Sequence, residues 1–233
     1  MCFTPIVSIT IAIVEFILVA TLLLFFPRTK LRNFFAIFIV VLGFYQFSEY
    51  MLCSSGNGFL WAIIGIITYS FLPALGLHAV LRIFNKKLGL LWVYIVPVAV
   101  SAAAIFIPGF VIRAECEEFF IYVSTIMTLR DSLVHTIPYL IYLLYYAGFI
   151  IISCFIIYKH YAFEKNHIKR KIELVEIFGV VSMTVPAFIL IVIFPTFSLR
   201  FPSVLCEFAI FVAIAAFVGA YLESKLYLPK KND

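Results

Sequence analysis

Phe34-Phe-Ala-Ile-Phe-Ile-Val-Val-Leu-Gly-Phe-Tyr-Gln-Phe-Ser-Glu-Tyr-Met-Leu-Cys53 is a run in which Glu49 is the only charged residue. At 1.5 Å per residue, about 20 residues cross the hydrocarbon core of a bilayer, and this run has that length. Backbone groups in lipid must be satisfied within their own segment, and the run lacks the alternation of a barrel strand, so it reads as a transmembrane helix. Within it, Gln46, Glu49 and Cys53 fall at i, i+3 and i+7 on one stripe, with Tyr45 one turn before Glu49. An ionised carboxylate facing lipid costs about 2 kcal/mol or more, so Glu49 is expected to point into a protein interior or a wet cavity.

The rest of the chain repeats the apolar pattern. Its 233 residues are 65% hydrophobic and 12% charged, with a mean hydropathy of +1.15, whereas soluble domains are about 45–50% apolar and about 25% charged. Besides 34–53, apolar runs cover about 5–26, 59–81, 89–112, 136–158, 173–195 and 203–222. The expected fold is all-α, a polytopic seven-transmembrane-helix bundle forming one domain over 1–233. The stretch 113–135 is expected to be an outer loop or lid, with a β-branched and aromatic middle suited to a short hairpin. The opening Met1-Cys-Phe-Thr-Pro lacks the basic flank and small-residue cleavage site of a secretory signal, so 5–26 is read as the first span, with Pro5 at its start. Pro73, Pro97, Pro138 and Pro186 mark kinks in or near spans three to six.

Fourteen of the seventeen Lys and Arg residues fall on one side of this arrangement, and only Arg113, Arg130 and Arg200 on the other. That asymmetry in short loops places the N-terminus outside and the C-terminus in the cytoplasm. The net charge of +5 is then a topology signal; it calls for anionic inner-leaflet lipid as partner and for no nucleic acid. Location in the cell membrane as a multi-pass protein follows.

With this orientation Cys2, Glu49, His135, Cys206 and Glu207 come to one level at the outer mouth, near Gln46. Thiolate, imidazole and carboxylate suit zinc, and sulfur also suits copper, so Cys2, Glu49, His135 and Cys206 are candidate metal ligands. No Cys-x-x-Cys, His-x-x-x-His or His-Glu-x-x-His spacing accompanies them, and the sequence specifies no cofactor. The competing reading is structural: Cys2, Cys53, Cys116 and Cys206 lie at or near the side that permits disulfides, so one or two bridges among them are expected. Cys154 reads as a small buried hydrophobe, His78 as a helix-to-helix hydrogen bond, and His160 and His167 as solvated loop residues. Glu15 reads as a neutral, hydrogen-bonded carboxyl in span one, and Glu173 and Glu176 as neighbours paired with Lys169, Arg170 and Lys171.

Met1-Cys-Phe-Thr-Pro, Tyr45-Gln-Phe-Ser-Glu49, His135-x-x-Pro138-Tyr-Leu and Phe201-Pro-Ser-Val-Leu-Cys206-Glu-Phe-Ala together resemble an uncharacterised prokaryotic seven-helix membrane family. Its members begin Met-Cys-Phe/Trp-Ser, carry Gln-x-x-Glu on the second span and a Cys-x-Phe-Ala on the last; here Thr4 stands for the Ser, and Leu205 for a Trp. The resemblance implies a seven-helix fold and roles for Cys2, Gln46, Glu49 and Cys206, and no activity. Microbial rhodopsins are set aside because no Lys lies between Phe208 and Leu222, and ceramidase-like zinc hydrolases because the last span has no His.

The function expected on these grounds is binding or sensing of a small molecule or ion in an outward-facing polar pocket formed by Gln46, Glu49, His135, Glu207, Cys2 and Cys206. A membrane-embedded thiol- or metal-dependent enzyme is the alternative, and a small-solute transporter the second. The sequence leaves the oligomeric state open.

Overall fold

The computed structural model describes residues 4–84, 90–116, 121–128, 133–193 and 201–227. Seven α-helices occur among them: α1 (Thr4–Phe25), α2 (Lys30–Ser54), α3 (Gly58–Ile83), α4 (Ile95–Phe106), α5 (Leu133–Tyr161), α6 (His167–Ile193) and α7 (Phe201–Tyr227). A two-stranded antiparallel hairpin, β1 (Val111–Cys116) and β2 (Ile121–Thr125), lies between α4 and α5. Among the described residues five helices, α1, α2, α3, α5 and α7, are long and apolar enough to cross a membrane.

Local chemistry sets the helix ends. The Thr29 hydroxyl accepts from the Arg32 N–H at 3.0 Å and caps α2, and the Asn57 side chain accepts from the Leu60 N–H at 3.3 Å and caps α3. Asn166 does the same for α6, accepting from Ile168 and Lys169.

The fourth run differs from its expected form. Instead of one helix over 89–112, a 3₁₀ segment (Leu90–Tyr94) leads into a 12-residue α4, followed by the hairpin. Two prolines explain the change. Deep inside a helix begun at 89, Pro97 would remove a backbone bond and clash with the preceding turn; with α4 starting at Ile95 it sits in the first turn, whose N–H groups have no intrahelical acceptor anyway. Pro108 then forces Ile107 into an extended conformation (φ −90°, ψ 113°), and Gly109, at φ 72°, turns the chain into β1. The 3₁₀ segment and α4 together rise about 28 Å, close to the thickness of a bilayer core.

Helix α2 packs on α1, α3 and α7, α3 also on α4 and α5, and α6 on α5 and α7. The helices α2, α3, α5, α6 and α7 therefore close a ring, with α1 applied to α2 and α7, and α4 to α3. Small residues draw α6, α7 and α2 together: Ala209, Ala213, Ala216 and Ala220 of α7 are buried in the cluster with Phe35, Ile39 and Leu42 of α2. A Cβ at Gly219 would meet the end of the Glu176 carboxyl and the Phe35 ring, so the glycine leaves room for both side chains.

The bundle has two unlike ends. At one, the Thr29 hydroxyl donates to Glu223 at 2.6 Å, joining the α1–α2 turn to the end of α7, and the Phe84 and His160 rings stack 4.1 Å apart, joining the ends of α3 and α5. Arg28, Arg32, Arg82, Lys159, Lys169, Arg170 and Lys225 belong to the segments gathered there. At the other end lie the α2–α3 turn and the hairpin.

Candidate functional site

The hairpin is a fixed cover. Cys53, in the last turn of α2, is disulfide-bonded to Cys116 at the end of β1. Val111, Ile121 and Phe110 are buried against Leu52, Ala62, Ile66, Val100 and Ala104, and the Ile126 N–H donates to the Phe110 carbonyl at 2.9 Å. Arg113 pairs with Glu115 on the exposed face and lies over the Tyr122 ring; that guanidinium holds the Glu115 carboxyl below the usual carboxylate range.

Beneath the cover is a cavity of about 110 Å³. Helix α2 lines it with Tyr45, Ser48, Glu49 and Leu52, and α3 contributes Trp61, Gly65 and Tyr69. From α5 come Tyr139, Tyr142 and Tyr146, and from the hairpin and the turn after it Val123, Thr125 and Thr128. Glu49 is buried, at 6% exposure. The tyrosines are held by one another and by α3: the Tyr69 ring lies 5.7 Å from Tyr45 and 6.1 Å from Tyr142, the Tyr142 and Ser70 hydroxyls are 3.1 Å apart, and the Tyr145 hydroxyl donates to the Ser70 carbonyl at 2.7 Å. A site with one carboxyl, five phenol rings and apolar walls suits a small ligand with a compact apolar or aromatic body and a donor or positive charge.

Of the residues expected at the outer mouth, Glu49 lines the cavity and Cys53 and Cys116 anchor its cover. Gln46 is fully buried and does not line it; on α2 the lining stripe is Tyr45, Ser48, Glu49 and Leu52, one step round the helix from Gln46 and Cys53. His135 stands in the first turn of α5, and Cys206 and Glu207 in the first turns of α7, with side chains outside the described residues. Cys2 lies outside them altogether.

Four other expectations change. His160 is not simply solvated: its Nδ1 is 2.7 Å from a Glu173 carboxylate oxygen and 3.9 Å from Glu164, because the α5–α6 turn folds these side chains together. Glu173 thus takes His160 rather than a lysine of its own helix as its hydrogen-bond partner. Glu176 points to the ring interior, one Oε buried with no hydrogen-bond partner among the described residues. Glu15 is fully buried between α1 and its neighbours, and neither oxygen has such a partner, so the expected hydrogen bond is missing. His78 does bridge elements, its Nδ1 2.6 Å from the Tyr94 hydroxyl while Arg82 donates to Nε2 at 3.3 Å, and Cys154 is a free, half-buried thiol.

Sequence reasoning missed Glu176 and the tyrosines of α5. The tyrosines carried a signal, since 139, 142 and 146 repeat at i, i+3 and i+7. His160, Glu164 and Glu173 form a group whose potential ligand atoms lie within 4.8 Å of one another, a geometry also satisfied by the observed ion pairs.

No known protein family, no curated protein and no solved structure matches this chain.

Proposed function

We propose that the chain is a seven-span protein of the cell membrane with the hairpin end outside and the C-terminus in the cytoplasm, and that the hairpin-covered cavity at Glu49 is a binding or sensing pocket for a small molecule or ion. Two independent signals support the orientation. Basic residues concentrate at the end opposite the hairpin, and the Cys53–Cys116 bond requires an oxidising compartment at the hairpin end. A cysteine introduced at Ser55 reacts with an impermeant reagent from outside on this reading, and labelling only after lysis overturns it.

One observation carries the binding assignment: a buried carboxylate and a ring of mutually braced tyrosines face empty volume instead of packed side chains. The thiol- and metal-dependent alternatives rest on Cys2, His135 and Cys206 together with Glu49, and of these four only Glu49 has its side chain among the described residues. Trp61 lines the cavity and the only other tryptophan is Trp92, so in a Trp92→Phe background the emission of Trp61 reports occupancy. Titration with a panel of small cations, anions and neutral aromatics is expected to give a saturable response in one class that Glu49→Gln abolishes. No saturable response in any class refutes the pocket.

A further inference from the structure

At the basic end of the bundle, the connection between α5 and α6 gathers three side chains able to hold a metal ion. His160 stands in the last turn of α5, Glu164 in the turn itself and Glu173 in the second turn of α6. One imidazole nitrogen and one oxygen from each carboxylate lie within 4.8 Å of one another. From His160 Nδ1, the Glu173 Oε1 is 2.7 Å away and the Glu164 Oε2 3.9 Å. Three donors bound to one tetrahedral ion at about 2.0–2.2 Å stand about 3.3 Å apart, a spacing that these two distances bracket. Movements of about 1 Å, within the reach of a Glu side chain on a turn, bring all three to that spacing.

Each donor is already oriented by its surroundings. The His160 ring stacks on Phe84 at 4.1 Å. Glu164 is held by the Asn166 N–H, which donates to its Oε1 at 2.8 Å and leaves Oε2 on the side of His160. Glu173 carries the independent sign of a ligand: its side chain is only 4% exposed, its Oε1 meets another member of the group, and its Oε2 is buried with no hydrogen-bond partner among the described residues. A buried carboxylate is stable when paired or when it coordinates a metal, and a directly bound cation also relieves the repulsion between the two carboxylates. Lys169 bears on both carboxylates at longer range, a charge that an ion in direct contact with them outweighs. The His160 side chain, 42% exposed, leaves one flank of the group open to water, both as an entry path and for water ligands.

We propose that His160, Glu164 and Glu173 form a binding site for a divalent transition-metal ion, zinc fitting the donor set best, with water completing the coordination. An imidazole nitrogen with two carboxylate oxygens suits zinc, whereas magnesium and calcium take oxygen ligands throughout and copper(I) prefers sulfur. The ion takes the place of the proton in the His160–Glu173 pair: with the imidazole neutral and its hydrogen on Nε2, Nδ1 turns a lone pair toward the two carboxylates. The site lies at the end of the bundle away from the hairpin-covered cavity and stands independently of the reading given to that cavity.

The test is calorimetric titration of zinc ion into the full chain in detergent, after a chelator has been applied and removed. Loss of a partner outside the coordination sphere already costs about 10–100-fold in metal affinity, so His160→Phe, which keeps a ring on Phe84 but no donor nitrogen, is expected to weaken one equivalent of zinc by at least about 100-fold. Glu173→Gln should do the same. Glu164→Gln, in the turn, is expected to weaken it by about tenfold or more and keeps the test open if the other two variants do not fold. His167→Ala, an exposed histidine at the same end and outside the group, should bind as wild type does. Zinc should also raise the unfolding temperature of wild type and His167→Ala and leave that of His160→Phe unmoved. A zinc equivalent indifferent to both His160→Phe and Glu164→Gln, or no zinc bound at all, overturns the site. Loss of the equivalent in His167→Ala, or displacement of zinc by an equal concentration of magnesium, overturns it as well, since either marks loose surface association.

Discussion

Helix α2 borders buried carboxyls on two faces, its own Glu49 on one and Glu15 of α1 on the other, and the two surroundings differ. Toward α3 and α5, Glu49 borders a cavity with tyrosine hydroxyls, a disulfide-anchored cover and room for a guest. Toward α1, Phe16 packs edge-on against Phe44 at 5.6 Å and touches the site of Gly43, and there Glu15 is enclosed with no hydrogen-bond partner among the described residues. Burial is nearly equal, 6% exposure for Glu49 and 0% for Glu15. What separates a candidate site from a packing position is therefore the empty volume, bordered by tyrosines, beside the carboxyl. Burial by itself does not distinguish them.

The strongest way to break the contrast is to release the cover. Replacing Cys53 and Cys116 by serine is expected to cost about 2–4 kcal/mol of stability, because the bond closes a separation of 63 residues. It should also loosen the hairpin and weaken any Trp61 response, whereas nothing on the α1 face depends on it. Thermal unfolding in detergent with and without reductant measures the cost, and an unchanged midpoint would show that apolar packing of Val111 and Ile121 suffices to hold the cover.

Next in size is Glu15. An unpaired buried polar group costs about 1–3 kcal/mol, so Glu15→Leu, of similar volume and apolar, is expected to stabilise the bundle by an amount in that range. Glu49→Gln should leave unfolding within about 1 kcal/mol of wild type and act on binding. If Glu15→Leu destabilises the protein, a polar partner or a function for Glu15 is required and the contrast collapses.

A smaller effect tests the bracing of the tyrosines. Tyr142→Phe removes the contact with the Ser70 hydroxyl, and interhelical bonds of this kind average about 0.6 kcal/mol in membrane bundles. The expected outcome is a slight loss of stability with a measurable change in ligand affinity; a full loss of fold would make Tyr142 a keystone of the α3–α5 interface.

How far these features were legible differs from residue to residue. The helices α1, α2, α3, α5 and α7, long and apolar enough to cross a membrane, were readable because apolar length alone marks them, and Thr29 and Asn57 announce two starts. The fourth apolar run takes a broken form because hydropathy ignores backbone chemistry: Pro97 and the Pro108–Gly109 turn are apolar or neutral and still interrupt the helix. Glu49 was legible since one carboxylate in an apolar run is costly wherever it points. Glu176 was not, because sequence proximity to Lys169, Arg170 and Lys171 suggested pairing, while the crossing of α6 over Gly219 turns the side chain inward. The Cys53–Cys116 pairing needed the hairpin register, which brings Cys116 opposite Ile121 and above the end of α2.

The smallest expected effect lies at the basic end, far from both faces of α2. Glu164 accepts a hydrogen bond from the Asn166 N–H at 2.8 Å, and this bond, with the positive charge of Lys169 nearby, holds its carboxyl below the ordinary value of 4.5. A depressed folded-state value means that the unfolded chain binds the proton more readily. The stabilisation is therefore complete above about pH 5 and fades as the pH falls through the lowered value. The effect is confined to the α5–α6 turn, where the Glu164 side chain keeps about 15% exposure, and is screened in part by salt. Amide exchange at Asn166 and Ile168 should quicken between about pH 5 and 3, after correction for the intrinsic pH dependence, and Glu164→Gln should remove that change. Exchange that keeps its pH dependence in Glu164→Gln would assign the ordering of the turn to the His160–Glu173 pair, and Glu164 would then be a bystander at the rim of that pair.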